Sequence, residues 1–175
     1  ALDSLLTACE GGTASDASSP CAGEDVVTYH GYDYAIVEIG DQCWFAENLK
    51  STSYSDGSSI DVTSAVPFNN DPSNTDNYGL LYTGDAIFNG LGICPASWHL
   101  GSFTEWQELM DFAAANGFNG NETVALKSTN GWASASNGVD AFGFNAKPAG
   151  YHYTPNHPYW GEFAHLLTNS YWWTS

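Results

Sequence analysis

Arginine is missing from the 175 residues, and lysine occurs only at Lys50, Lys127 and Lys147, against 20 acidic residues. The formal net charge of -17 argues against a nucleic-acid partner, because phosphate recognition needs clustered Lys and Arg. It equally disfavours docking on an anionic bilayer. No apolar run reaches the roughly 18 residues of a membrane span, so membrane insertion is not expected. Nor does a basic stretch followed by an apolar one open the chain, and Ala1 reads as a mature end left after processing. G-x-S-x-G, a P-loop and G-x-G-x-x-G are all missing, which leaves nucleophilic catalysis and nucleotide binding without a signal. Cysteine occurs four times and never as C-x-x-C.

What is present is aromatic. The chain is 43% hydrophobic and 15% aromatic, with seven Trp, enough for one domain whose core is built on large rings. The acidic excess reads either as a solvated surface that keeps a secreted protein soluble or as a surface that collects divalent cations. Four cysteines without close pairs favour disulfides in an oxidising compartment over a catalytic role. Of the three possible connectivities, Cys9–Cys21 as a local staple with Cys43–Cys94 inside the domain is the expected one.

Residues 1–28 carry little periodicity and read as an extended N-terminal segment clipped by a disulfide, ahead of a domain over residues 29–175. Residues 34–39 alternate with Ala35, Val37 and Ile39 on one side, Gly40-Asp41 turns the chain, and residues 42–49 return as the second arm of a hairpin. The clearest helix spans residues 102–117. Ser102 and Glu105 form an S-x-x-E capping box, Phe103, Trp106, Leu109, Met110 and Ala113 make the apolar stripe, and Asn116-Gly117 ends it. A shorter helix is expected over residues 84–89. Short strands, few helices and long loops give an α+β domain.

Several constellations could carry chemistry. The loop around Asn69, Asp71 and Asp76 offers the oxygen ligands that calcium takes, though without EF-hand spacing, and reads either as a calcium site or as plain Asx turns. His152, His157 and His165, with Glu162 three positions before the last, read as exposed loop histidines or as a metal site. His99 is expected to be packed and hydrogen-bonded, and Glu47 and Asn48 to find loop backbone partners. Tyr151, Tyr153, Tyr159, Trp160 and Phe163 alternate with polar residues. Such rings stack on sugar faces and also suit a protein–protein interface. They are the candidate contact residues, for a carbohydrate or a protein at a surface.

Residues 39–49 (IGDQCWFAENL), 77–82 (NYGLLY), 94–100 (CPASWHL), 140–144 (DAFGF) and 171–175 (YWWTS) together resemble the Fibrobacter succinogenes major paralogous domain family. The resemblance runs from about Tyr29 to Ser175. It implies a secreted or surface-attached bacterial module, similar in fold to C-type lectins and formylglycine-generating enzymes: a small twisted antiparallel sheet, one or two helices and extensive loops. No activity is generally assigned to that family. The late reactive cysteines of the formylglycine-generating enzymes have no counterpart after Cys94, so their chemistry does not carry over. Where the family usually has Pro after Trp-His-Leu, this chain has Gly101, expected to loosen the helix entry. The family also typically continues past Tyr-Trp-Trp, so the expectation is either a chain that continues beyond Ser175 or a sheet lacking its last strands, whose edge is open to strand pairing. The expected function is a non-enzymatic extracellular surface module for adhesion or assembly. The alternatives are a filament or coat subunit capable of self-assembly, and a calcium-assisted carbohydrate-binding module.

Overall fold

Apolar residues two apart on either side of Gly40-Asp41 fold the chain back on itself. The computed structural model describes residues 6, 7, 9–11, 19–133, 135–154 and 157–175. In chain order, β1 (Cys9–Gly11), β2 (Val26–Tyr29), β3 (Tyr32–Ile39) and β4 (Gln42–Phe45) come first. They are followed by β5 (Ala65–Val66), α1 (Thr75–Tyr78), β6 (Leu81–Tyr82), α2 (Gly84–Ile87), β7 (Trp98–Leu100), α3 (Phe103–Ala113) and α4 (Glu122–Leu126). β8 (Tyr151–His152) and β9 (Phe163–Ala164) close the order. The antiparallel main sheet runs β2-β3-β4-β1-β7, and β5-β6 and β8-β9 form two small hairpins. This is an α+β domain.

Both faces of the hairpin are covered. Tyr34, Ile36, Cys43 and Phe45 join Tyr82 and Trp173 in one cluster. Ile39 and Trp44, with Val37, face Leu109, Leu126 and Phe144 in a second. All four residues of β4 are therefore buried, the pattern of a strand sandwiched between two layers. On the side of Ala35, Val37 and Ile39, burial deepens along the strand, from exposed Ala35 through half-buried Val37 to buried Ile39.

The N-terminal segment is not an appendage to the sheet. β1 lies between β4 and β7, with Glu10 opposite Trp44 on one side and His99 on the other. The expected disulfide pairing is corrected accordingly: Cys9 bonds Cys94, and Cys21 bonds Cys43. A strand in mid-sheet puts Cys9 beside the segment that leads into β7. Cys21 then meets β4 instead, and proximity in sequence loses to the register of the sheet.

α3 carries the expected capping box, with Ser102 accepting from the Glu105 N–H and Glu105 accepting from the Ser102 N–H. Trp106 packs against Trp44 with ring centroids 4.8 Å apart. Phe103 falls outside the apolar stripe and is 71% exposed. α2 is shorter than expected, and its Thr83 cap accepts from the Ala86 N–H. Gly101 does not loosen the helix entry. A Cβ there would lie 2.8 Å from the Trp44 ring and 3.1 Å from Trp106 Nε1, so the glycine lets two indoles close over the first turn.

The C-terminal aromatics tie the ends of the domain together. Leu6 N–H donates to Tyr171 O, and Trp173 N–H donates to Leu6 O. Trp173 is buried, and its Nε1 donates to Tyr82 O at 2.9 Å. Asn48 links three elements, donating to Tyr78 O and accepting from Trp172 Nε1. Close approach at that point requires Gly79, where a Cβ would meet the Asn48 Cβ at 2.6 Å.

Two outcomes are expected from this packing. Gly101→Ala should lower the unfolding free energy in urea by about 1–3 kcal/mol, the usual cost of overpacking. Non-reducing peptide mapping should recover Cys9 linked to Cys94 and Cys21 linked to Cys43. A peptide joining Cys9 to Cys21 would contradict the sheet order described above.

Candidate functional site

The β8–β9 hairpin sorts the aromatic residues of the 151–163 segment by face. Alternation puts Tyr151 and Tyr153 on one side, where their hydroxyls meet at 2.7 Å. His165 stacks on Tyr151 at 5.3 Å and His157 on Tyr153 at 4.1 Å. Tyr159 and Tyr171 extend the same row of rings, at 5.7 Å from Tyr153 and 5.5 Å from Tyr151. His157 and His165 are thus members of a ring ladder, a role their spacing did not signal, whereas His152 stacks on Phe163 at 4.3 Å on the other face. Phe163 turns the other way because it pairs in register with His152. It packs on Phe68 at 5.2 Å and lies half-buried against the core. Trp160 is 66% exposed and lines a cleft of about 460 Å³ with Ser64, Asn70, Thr83, Asp85 and Thr154.

The oxygen-rich loop is built of short turns. Asn69 adopts a left-handed backbone conformation (φ 59°) within the first of two short 3-10 turns, Phe68–Asn70 and Pro72–Asn74. Asp71 caps the second of these turns, accepting from the Ser73 N–H at 2.9 Å. That hydrogen bonding holds the exposed Asp71 carboxyl below the usual range. Asp76 instead lines a separate cleft of about 440 Å³ with Glu47, Lys50, Asp140, Asn145 and Lys147. Inside it Glu47 accepts from the Ala35 N–H and from Tyr32, and pairs with Lys50 at 2.6 Å. Burial works against the Lys50 charge, but the bonds to Glu47 and Tyr32 outweigh it and raise its pKa.

The most unusual electrostatics lie elsewhere, at the junction of β1, β7 and α3. Glu10 is 3% exposed and is the one charged residue in the core among the described residues. Its Oε2 lies 3.2 Å from His99 Nε2, which lies 2.8 Å from Glu105 Oε1. A single Nε2–H cannot serve two carboxylates, and the shorter contact to Glu105 takes it. Glu10 Oε2 is left buried without a hydrogen bond. Burial first, and then the charge of Glu105, push the Glu10 carboxyl up to about 7, while His99 and the Cys43 amide pull it partly back. Glu105 moves the opposite way. Its burial is outweighed by the hydrogen bonds from Ser102 and His99, and its pKa falls. His99 is hydrogen-bonded as expected, but it is exposed rather than packed, because it sits at the rim of the β7 edge of the sheet. Among the described residues, these three form the one group of His, Cys, Asp or Glu close enough to share an ion, and neither Asp71 nor Asp76 belongs to it. No sequence pattern singled out Glu10. Its only signal was a charged residue between Cys9 and Gly11.

The family model of the Fibrobacter succinogenes major domain matches residues 37–175. The chain belongs to that family. The Fibrobacter succinogenes major domain, named after a bacterium, covers Trp44, Asn48, Gly79, His99 and the aromatic ladder, whereas Glu10 and β1 lie before the matched residues. No curated protein and no solved structure matches the chain. Among the described residues, no helix of this Fibrobacter succinogenes major domain is long and apolar enough to cross a membrane.

Glu10 gives the domain a specific pH signature. Its folded pKa lies above the unfolded value of 4.5, so the folded state holds the extra proton between about 4.5 and 7. The stability linked to that proton is full below pH 4.5 and is lost as pH rises through about 7. In chelator-treated protein, Glu10→Gln should remove this dependence. The gap between variant and wild type should widen with pH by on the order of 3 kcal/mol. Parallel urea curves for the two proteins at pH 4.5 and pH 8 provide the measurement, and an unchanged gap would count against a strained Glu10.

Proposed function

We propose that this domain is a non-enzymatic extracellular adhesion module of C-type-lectin-like architecture, which holds a neutral polysaccharide through the aromatic loop of residues 151–163. The observation that carries this reading is the exposed Trp160 indole on the wall of a cleft edged by hydroxyl, amide and carboxylate groups. A sugar ring offers C–H faces to an indole and hydroxyls to the surrounding polar groups, and this wall supplies both. The ladder of Tyr151, Tyr153, His157 and Tyr159, on the other face of the β8–β9 ribbon from His152 and Thr154 of the cleft wall, offers a second set of rings already ordered by one another. Such pre-ordering lowers the entropy cost of binding. Two disulfides suit an oxidising, extracellular setting.

The test is retention on insoluble cellulose, xylan, chitin and bacterial cell-wall polysaccharide, followed by a glycan array with and without calcium. Trp160→Ala should weaken binding about tenfold or more while leaving the melting temperature unchanged, since stacking on one indole is worth roughly 1 kcal/mol beyond its buried area. Binding that needs calcium would favour the calcium-assisted form of the reading. Equal retention of wild type and Trp160→Ala on every matrix would remove Trp160 from the contact surface and this proposal with it.

A further inference from the structure

The convergence of Glu10, His99 and Glu105 is better matched to a cation than to the protons available to it. We propose that these three side chains bind one divalent transition-metal ion, with zinc the best fit, at the junction of β1, β7 and α3. Two carboxylate oxygens and one imidazole nitrogen already face one another, with Nε2 3.2 Å from Glu10 Oε2 and 2.8 Å from Glu105 Oε1. Ligand atoms held about 2.1 Å from a tetrahedral or octahedral ion stand roughly 3.0–3.4 Å apart. The two distances to His99 match that range closely, and all three ligand atoms lie within 4.8 Å of one another, so an ion would draw the carboxylates around it by a modest movement. The two carboxylates balance the charge of the ion, and neutral His99 would present the Nε2 lone pair to it, with its proton on Nδ1.

Rigid elements aim each ligand. Glu10 and His99 are directly opposed across the β1–β7 ladder, so their side chains leave the sheet on the same face. Glu105 is fixed by the capping box of α3, which uses Oε2 and leaves Oε1 to point at His99. The buried Glu10 Oε2 without a hydrogen bond is the observation that points to a ligand, because an unpartnered carboxylate oxygen in the core is costly. The His99 side chain is 45% exposed, which gives the ion an entry path and leaves room for water to complete its shell. Calcium, which takes six or more oxygens at longer distances, fits this donor set poorly. Bound there, the ion would fasten the N-terminal strand to both β7 and α3, joining Glu10, which lies before the matched residues of the family, to His99 and Glu105 within them.

The experiment uses the full chain stripped with chelator and then titrated with zinc, manganese or calcium chloride by calorimetry, with melting temperature as a second readout. One zinc per chain is expected, with a raised melting temperature and calcium binding far more weakly. Glu10→Gln and His99→Gln should each weaken zinc binding by tenfold or more, whereas Asp71→Asn, at the exposed turn, should leave it unchanged. Cobalt(II) offers an independent probe, since ligation by His99 should give a visible absorption band that His99→Gln abolishes. His99 is half exposed, so its variant keeps the test intact if Glu10→Gln fails to fold. No saturable 1:1 zinc binding, or affinity retained in His99→Gln, overturns the proposal.

Discussion

Three residues, Cys9, Glu10 and Gly11, hold the two sides of the main sheet together. β4 and β7 do not pair with each other. Each pairs with β1, which fills the space between them. A three-residue strand has almost no intrinsic stability, so something else must fix it. Alternation divides the work between the two faces. On one face, Cys9 is bonded to Cys94, 85 residues away, and Gly11 leaves room for the Trp98 ring 3.2 Å from where a Cβ would sit. Closing a loop of that length removes on the order of 4–5 kcal/mol of chain entropy from the unfolded state on the loop-closure model. On the other face Glu10 meets His99 and the start of α3. The covalent bond holds the strand in place, and in doing so it buries a carboxylate that the sheet alone would expel.

Above that face the packing is almost entirely aromatic. Trp44 contacts Trp106 and Phe144, and both of these contact Trp172. Four rings from a strand, a helix, a loop and the C-terminal segment form one layer, and Asn48 joins it by accepting from Trp172 Nε1. Large rings fill space with few rotatable bonds, which suits a domain with short strands and little helix. Such a layer leaves little slack. At Gly101 and Gly79 the backbone approaches Trp44 and Asn48 so closely that only a glycine fits without rearrangement.

The sequence was readable where local chemistry decides local structure. The β3–β4 hairpin follows from alternation and a Gly-Asp turn, and α3 follows from its capping box. β1 could not be read in this way, since three residues are too few to show a period. Missing β1 also meant missing the disulfide pairs, because the register of β1 decides which cysteines meet. The aromatic segment of residues 151–163 was legible as composition but not as geometry. Only the β8–β9 register shows that Phe163 turns inward with His152 while Tyr151 and Tyr153 face the other way. The Glu10–His99–Glu105 group had no motif to reveal it, its members being separated by 89 and 6 positions and assembled by strand pairing.

Charge narrows what the aromatic surface can receive. The chain has three lysines, and each is engaged within the domain. Lys50 pairs with Glu47 and lies over the Tyr32 ring, Lys127 lies over Trp132, and Lys147 donates to Asn130 Oδ1 at 3.5 Å. None of the three lines the Trp160 cleft, whose one charged wall residue is Asp85. An acidic polysaccharide would meet repulsion from the -17 net charge, with no arginine to offset it, and the repulsion would be strongest at low salt. A neutral chain of sugars meets no such barrier and gains from rings that need no counter-charge. The same deficit of cations bears on Glu10. No lysine joins that buried carboxylate at the β1–β7 junction, and a shared proton or a metal ion is what remains to neutralise it.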